Sequence, residues 1–217
     1  MSGAIGPWLL VLALGVYHGI NPGMGWLLAV SNGMQARRGS AVLLALGPIG
    51  AGHFLAMAAA LLPFALLTAY VSQVRLIGVA CGLALIGFGL YKLMRKRHPR
   101  WLARIKPAHL LLWSFLMATA HGAGLMLLPV YLRLCGPAPA DAAHAAMMTL
   151  LRQDLGTALL VAAVHTAAML TTGGIIAWLV YHYWGLRALR QSWFNLDLLW
   201  SVMLLGSGAL ATWAAAR

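Results

Sequence analysis

Glutamate is absent from this 217-residue sequence, aspartate supplies all three acidic residues, and only 8% of positions carry a charge of either sign. A site for calcium, magnesium or manganese needs oxygen ligands, chiefly carboxylates, so these hard cations are poor candidates. Cysteine is almost as scarce. Cys81 lies in an apolar stretch and Cys135 near a loop, a spacing that matches neither a disulfide framework nor a zinc motif. What fills the chain instead is apolar: 62% of residues are hydrophobic, with 11 methionines and 9 tryptophans. No water-soluble domain of this size needs so much. In hydrocarbon only helices and closed barrels satisfy their own backbone groups, and long apolar runs without alternation are helical. The expected fold class is therefore an all-α integral membrane protein.

The apolar pattern places six transmembrane helices at about 7–31, 41–64, 74–94, 109–132, 156–183 and 196–215. The first lacks a basic leader and a small-residue cleavage site, and is expected to be retained. Six spans explain the formal charge of +12, because the 15 Lys and Arg sort by side. Eleven of them (Arg37, Arg38, Lys92, the run from Arg95 to Lys106, Arg187 and Arg190) fall on one side, and Arg75, Arg133, Arg152 and Arg217 on the other. By the positive-inside rule the first set is cytoplasmic and both termini face outward (N-out/C-out), in what is expected to be a bacterial inner membrane. The basic loop 95–108 then orients the protein beside the lipid bilayer, and no nucleic-acid partner is expected.

The chain also repeats itself. His18-Gly19 in the first helix is matched by His121-Gly122 in the fourth, and His53-Phe-Leu-Ala-Met57 in the second by His165-Thr-Ala-Ala-Met169 in the fifth. Leu85-Ile-Gly87-Phe-Gly89 in the third is matched by Leu204-Leu-Gly206-Ser-Gly208 in the sixth. The matches are short but collinear, which divides the chain into a three-helix repeat at 1–94, the loop 95–108, and a second repeat at 109–217. A unit with an odd number of spans re-enters the membrane from the opposite side, so the two are inverted repeats (3+3). Such repeats place their substrate or ion site near the midplane, where broken helices meet. Asn21-Pro22-Gly23-Met24-Gly25 supplies a candidate break and substrate-binding segment, since proline removes a backbone donor and glycine loosens the helix.

His18, His53, His121 and His165 each sit well inside an apolar run. Ionisable groups at membrane depth usually face the protein interior and mark pathways or ligand sites. Four neutral imidazoles brought together make a donor set for copper, nickel, cobalt or zinc. Met57 and Met169 stand one turn beyond His53 and His165 on the same helix face, which adds soft ligands. A site with no carboxylates also lacks compensation for a divalent charge, and so suits monovalent copper. The leading expectation is a membrane transporter of a transition-metal ion working by alternating access, not an enzyme. Alternatives are a haem-binding electron carrier with bis-histidine ligation, a metal-dependent intramembrane enzyme lacking a convincing acid or base, and a transporter of a small organic solute bound by Asn21, Trp26 and backbone groups.

The stretch Gly15-Val-Tyr-His18-Gly-Ile-Asn21-Pro22-Gly23-Met24-Gly25-Trp26 resembles the first-helix signature of NicO-type nickel/cobalt exporters, approximately G-x-x-H-A-L-T-P-G-H-G-K, within the LysE (lysine-exporter) superfamily of six-helix transporters. The resemblance carries His18, Pro22 and Gly23 over. It departs at Met24, where the family has a second histidine, and at Trp26, where it has lysine; it implies a transporter of metals or other small solutes more than it implies nickel.

The remaining features concern assembly. Gly78, Gly82 and the pairs Gly87/Gly89 and Gly206/Gly208 permit close helix contact inside the monomer or across a homodimer. The segment 134–153 is expected to be a surface connector holding a short amphipathic helix from Asp141 to Leu151.

Overall fold

The computed structural model describes residues 2–67, 74–94, 105, 107–135 and 144–184, and part of 201–213. Within them every regular element is helical and no strand occurs.

The first apolar run does not form one rod. Helix α1 (Ser2–Ile20) stops at Asn21, a 3-10 turn covers Pro22–Met24, and α2 runs from Trp26 to Ala36. Pro22 has no N–H to continue the ladder, and Gly25 takes φ 114°, which excludes an ordinary side chain. The broken ends are satisfied locally: Asn21 N–H donates to the His18 carbonyl and Met24 N–H to that of Asn21. The Asn21 side-chain oxygen accepts from Gly23 N–H at 2.9 Å, and the Trp26 indole donates to the Ile20 carbonyl at 3.1 Å. The expected break is therefore present, with its freed carbonyls largely taken up by neighbouring residues.

Helix α3 spans Ser40–Leu67 and α4 spans Val74–Met94. The fourth expected span is also two helices, α5 (Leu110–Ala120) and α6 (Ala123–Cys135), separated at His121 and Gly122. Gly122 takes φ 66°, and a Cβ there would meet the Leu85 side chain at 2.9 Å. This break, which the sequence reading misses, has no proline at the junction; a left-handed glycine closes the helix instead.

Helix α7 runs from His144 to Leu179 and ends in a π turn, Val180–Trp184. The expected connector helix and the fifth span are thus continuous over 144–151, a correction to the surface-connector reading. Apolar periodicity stops near Gln153 and Asp154, but nothing in that polar interval breaks a helix. The basic residues of the loop expected at 95–108 lie outside the described residues.

Two helical stretches, Ser40–Pro63 and Asp154–Trp184, are long and apolar enough to cross a membrane; Ile5–Ile20, Val79–Tyr91 and Pro107–Thr119 are shorter apolar helices. Their outward faces stay apolar: Ile5, Leu9, Leu12, Val16 and Ile20 make an exposed stripe along α1, and Leu76, Leu83 and Leu90 another along α4. The polar side chains His18, Asn21, His53, Ser114, His121 and His165 are buried.

Three packings position that interior. Helix α1 lies along α7, α5 lies along α3, and α3 crosses α7. Small residues allow the first two. A Cβ on Gly15 would lie 2.6 Å from the His165 carbonyl oxygen, and one on Gly19 2.5 Å from that of Met169. Gly52, beside His53, faces the α5 backbone at Leu111 and Phe115, and Ser114 of α5 donates to the Ile49 carbonyl at 2.7 Å. Of the glycines expected at helix contacts, Gly82 and Gly208 face one another across α4 and the helical residues of 201–213, and Gly89 meets Leu204 and Leu205. Gly87 and Gly206 meet nothing within 4 Å.

A histidine cluster and a methionine-lined cleft

His18 reaches the interior in the last turn of α1, two residues before the helix ends, with Gly15 and Gly19 holding that turn against α7. His53 and His165 stand near the middle of α3 and α7, where those helices cross. The three imidazoles meet. Ring centroids are 5.0 Å apart for His18 and His165, 5.6 Å for His53 and His165, and 5.8 Å for His18 and His53. Exposure is 3% for His18, 1% for His53 and 0% for His165, so none of the rings is solvated.

The hydrogen bonds of these rings are incomplete. Nδ1–H of His18 donates to the Leu14 carbonyl at 3.0 Å, which leaves its Nε2 with the lone pair. Among the described residues Nε2 of His53 has no hydrogen-bond partner, and neither has either ring nitrogen of His165. The Val11 carbonyl acts on the His165 ring, but without hydrogen-bond geometry. A buried polar group left without a partner costs roughly 1–3 kcal/mol, so three such nitrogens in one cluster are expensive unless something binds there.

The ring spacing approaches that of imidazoles sharing a metal, with the His18–His165 distance inside the expected range and the other two slightly above it. Imidazole nitrogens about 2.0–2.1 Å from a metal, at tetrahedral or trigonal angles, put their ring centroids roughly 5–5.5 Å apart. The nitrogens themselves do not yet converge: among the described residues no group of three or more His, Cys, Asp or Glu is arranged to hold a metal ion. Spacing is set by the helices, which are fixed, whereas ring direction is set by the terminal side-chain torsion, which is broad and soft.

His121, 5% exposed, caps the end of α5. Its Nδ1–H donates to the Met117 carbonyl, the same bond to the carbonyl four residues back that orients His18. A carbonyl on one nitrogen fixes the tautomer and turns the other nitrogen into the donor, as in most metal-binding histidines. His121 is within electrostatic reach of His53. It shares a narrow cleft with His18, Met24 and Met126, together with Tyr17, Asn21 and Leu204.

The methionines are redistributed relative to expectation. Met57 is wholly buried in the apolar core with Val11, Leu14, Leu61 and Leu127, and lines neither of two clefts beside the cluster. Met169 lines the second, equally narrow cleft with Gly19, Trp26 and Ile49. Met24 lines both. Met126 has no part in the histidine repeat pattern and is missed by it; its signal is its place five residues after His121, close to the six that separate Met24 from His18. Pro22 and Gly23 are buried in the turn that positions Met24.

Comparison of the chain with family models, with curated proteins and with solved structures gives no match.

Proposed function

We propose that this chain is an integral membrane transporter of a transition-metal ion (copper, nickel, cobalt or zinc), bound as substrate by His18, His53 and His165 and passed to or from His121. The single observation that carries the reading is the meeting of three buried imidazoles from three helices, close to the spacing of a shared metal, with nitrogens of His53 and His165 that have no hydrogen-bond partner among the described residues. Ionisable side chains are costly at membrane depth and persist there for pathways and ligand sites.

Six spans arranged as inverted repeats remain part of the proposal. Its supports are the reciprocal packing of α1 on α7 and α5 on α3, and the breaks after His18 and at His121, which fall at corresponding points of the two halves. Apolar stripes facing outward support a bilayer environment. In this arrangement the halves rock around a midplane site and open it alternately to each side. Protons exchange with the metal, because ligation needs the neutral imidazole.

Haem fits less well. Gly15 and Gly19 hold α1 against the α7 backbone with no slot for a porphyrin between His18 and His165.

The test is metal binding and metal flux in proteoliposomes for the wild type and for His53→Ala and His165→Ala separately. Loss of a ligand costs more than the roughly 10–100-fold that outer-shell changes cost in metal affinity, so both variants should lose binding and flux together. Retained flux in both would sink metal ligation and favour an organic solute. A Soret band in the purified protein would favour haem.

A further inference from the structure

Two methionines other than those that sequence spacing selects line a cleft with two of the histidines. Met24 and Met126 are 6% and 5% exposed, and both line the cleft shared by His18 and His121. Met24 is held there by the 3-10 turn that breaks the first span, and Met126 by the first turns of α6 after the second break. Each broken helix thus presents one histidine at or just before its break and one methionine within or just after it. Met24 also lines a second cleft together with Met169.

We infer that this cleft is a soft-metal site, with Met24, Met126, His18 and His121 as its donors, and that the ion transported is monovalent copper. The inference rests on the transporter reading above and narrows its substrate class. Thioethers are soft ligands that select monovalent copper over nickel, cobalt or zinc. Every donor in the set is neutral, so the set offers no negative charge to offset a divalent ion taken out of water, and a single positive charge is the less costly cargo. The tautomer set at His121 by the Met117 carbonyl, like that set at His18 by Leu14, makes Nε2 the donor nitrogen. His18 belongs to both the cleft and the buried cluster, which makes it the residue through which an ion passes from one to the other.

The experiment is an anaerobic titration of the detergent-purified full chain with monovalent copper, in competition with a chromogenic chelator, alongside a zinc titration. It is run on the wild type, on Met24→Leu/Met126→Leu and on His53→Ala/His165→Ala. Leucine conserves volume and removes only the sulfur, so the fold should tolerate it. The expected result is a fall in the copper-over-zinc preference of at least about tenfold in the methionine variant. X-ray absorption of copper-loaded wild type should show sulfur as well as nitrogen neighbours, a readout that does not depend on any variant folding. An unchanged preference, equal loss of both metals, absence of copper binding, or nitrogen neighbours alone would each overturn the methionine cleft. In those cases loss of zinc in the histidine variant would still uphold the transporter reading. Zinc and copper binding unaffected by the histidine variant would overturn that reading itself.

Discussion

His165 has neither ring nitrogen hydrogen-bonded although it is fully buried, an arrangement that serves ligand binding better than stability. Two consequences belong to this scale. A proton added to a cluster imidazole occupies a lone pair that a metal needs, so metal affinity should fall once the pH is low enough to charge the cluster. Equilibrium metal binding measured across a descending pH series checks this, and an affinity unchanged down to the pH at which the protein unfolds would contradict imidazole ligation. The second consequence concerns Gly122. With φ 66° it occupies the left-handed region, where a Cβ costs roughly 1–2 kcal/mol. Gly122→Ala adds a contact with Leu85 to that strain and should lower the thermal midpoint in detergent. A midpoint at or above the wild-type value would show that the break does not depend on glycine.

At the scale of elements, the site exists because α1 and α7 approach backbone to backbone. Gly15 and Gly19 are the reason, since any Cβ at either position collides with carbonyls or side chains of α7. Gly15→Leu should push α1 away and carry His18 from His165, weakening metal binding even though no ligand is altered. Binding should drop by at least about tenfold, within the range for changes to the groups that orient ligands. Unchanged affinity in a folded Gly15→Leu protein would mean that His18 is not held to the cluster by this contact. Gly206, by contrast, meets nothing within 4 Å. Gly206→Ala should leave stability of the monomer within about 0.5 kcal/mol, as surface substitutions generally do.

Over the whole molecule, apolar residues cover outward faces as well as the core, and the histidines are buried among them. The sorting of the 15 basic residues predicts which ends face the cytoplasm. Alkaline phosphatase fused at either terminus should be active, and a fluorescent protein that folds only in the cytoplasm should be dark at both. The opposite pattern at either end would remove the inverted 3+3 arrangement, because an even number of spans keeps both termini on one side.

The amino-acid sequence by itself determined the helical class, the interval of α4, the break at Asn21 to Gly25 and the four histidines worth attention. These are local matters: apolar run length, a proline without its N–H, an imidazole surrounded by apolar residues. It did not determine the break at His121 and Gly122, where no proline marks the junction, or the continuity of α7 through 144–151, where polarity looked like a loop. Only the tertiary structure decided that His18, His53 and His165 meet and that His121 shares a cleft with His18. It alone put Met24 and Met126 beside the histidines and sent Met57 into the core. The physical reason is that spacing along a chain fixes which residues share a helix face, whereas the rotation and crossing of packed helices, set here by Gly15, Gly19 and Gly52, fix what that face meets.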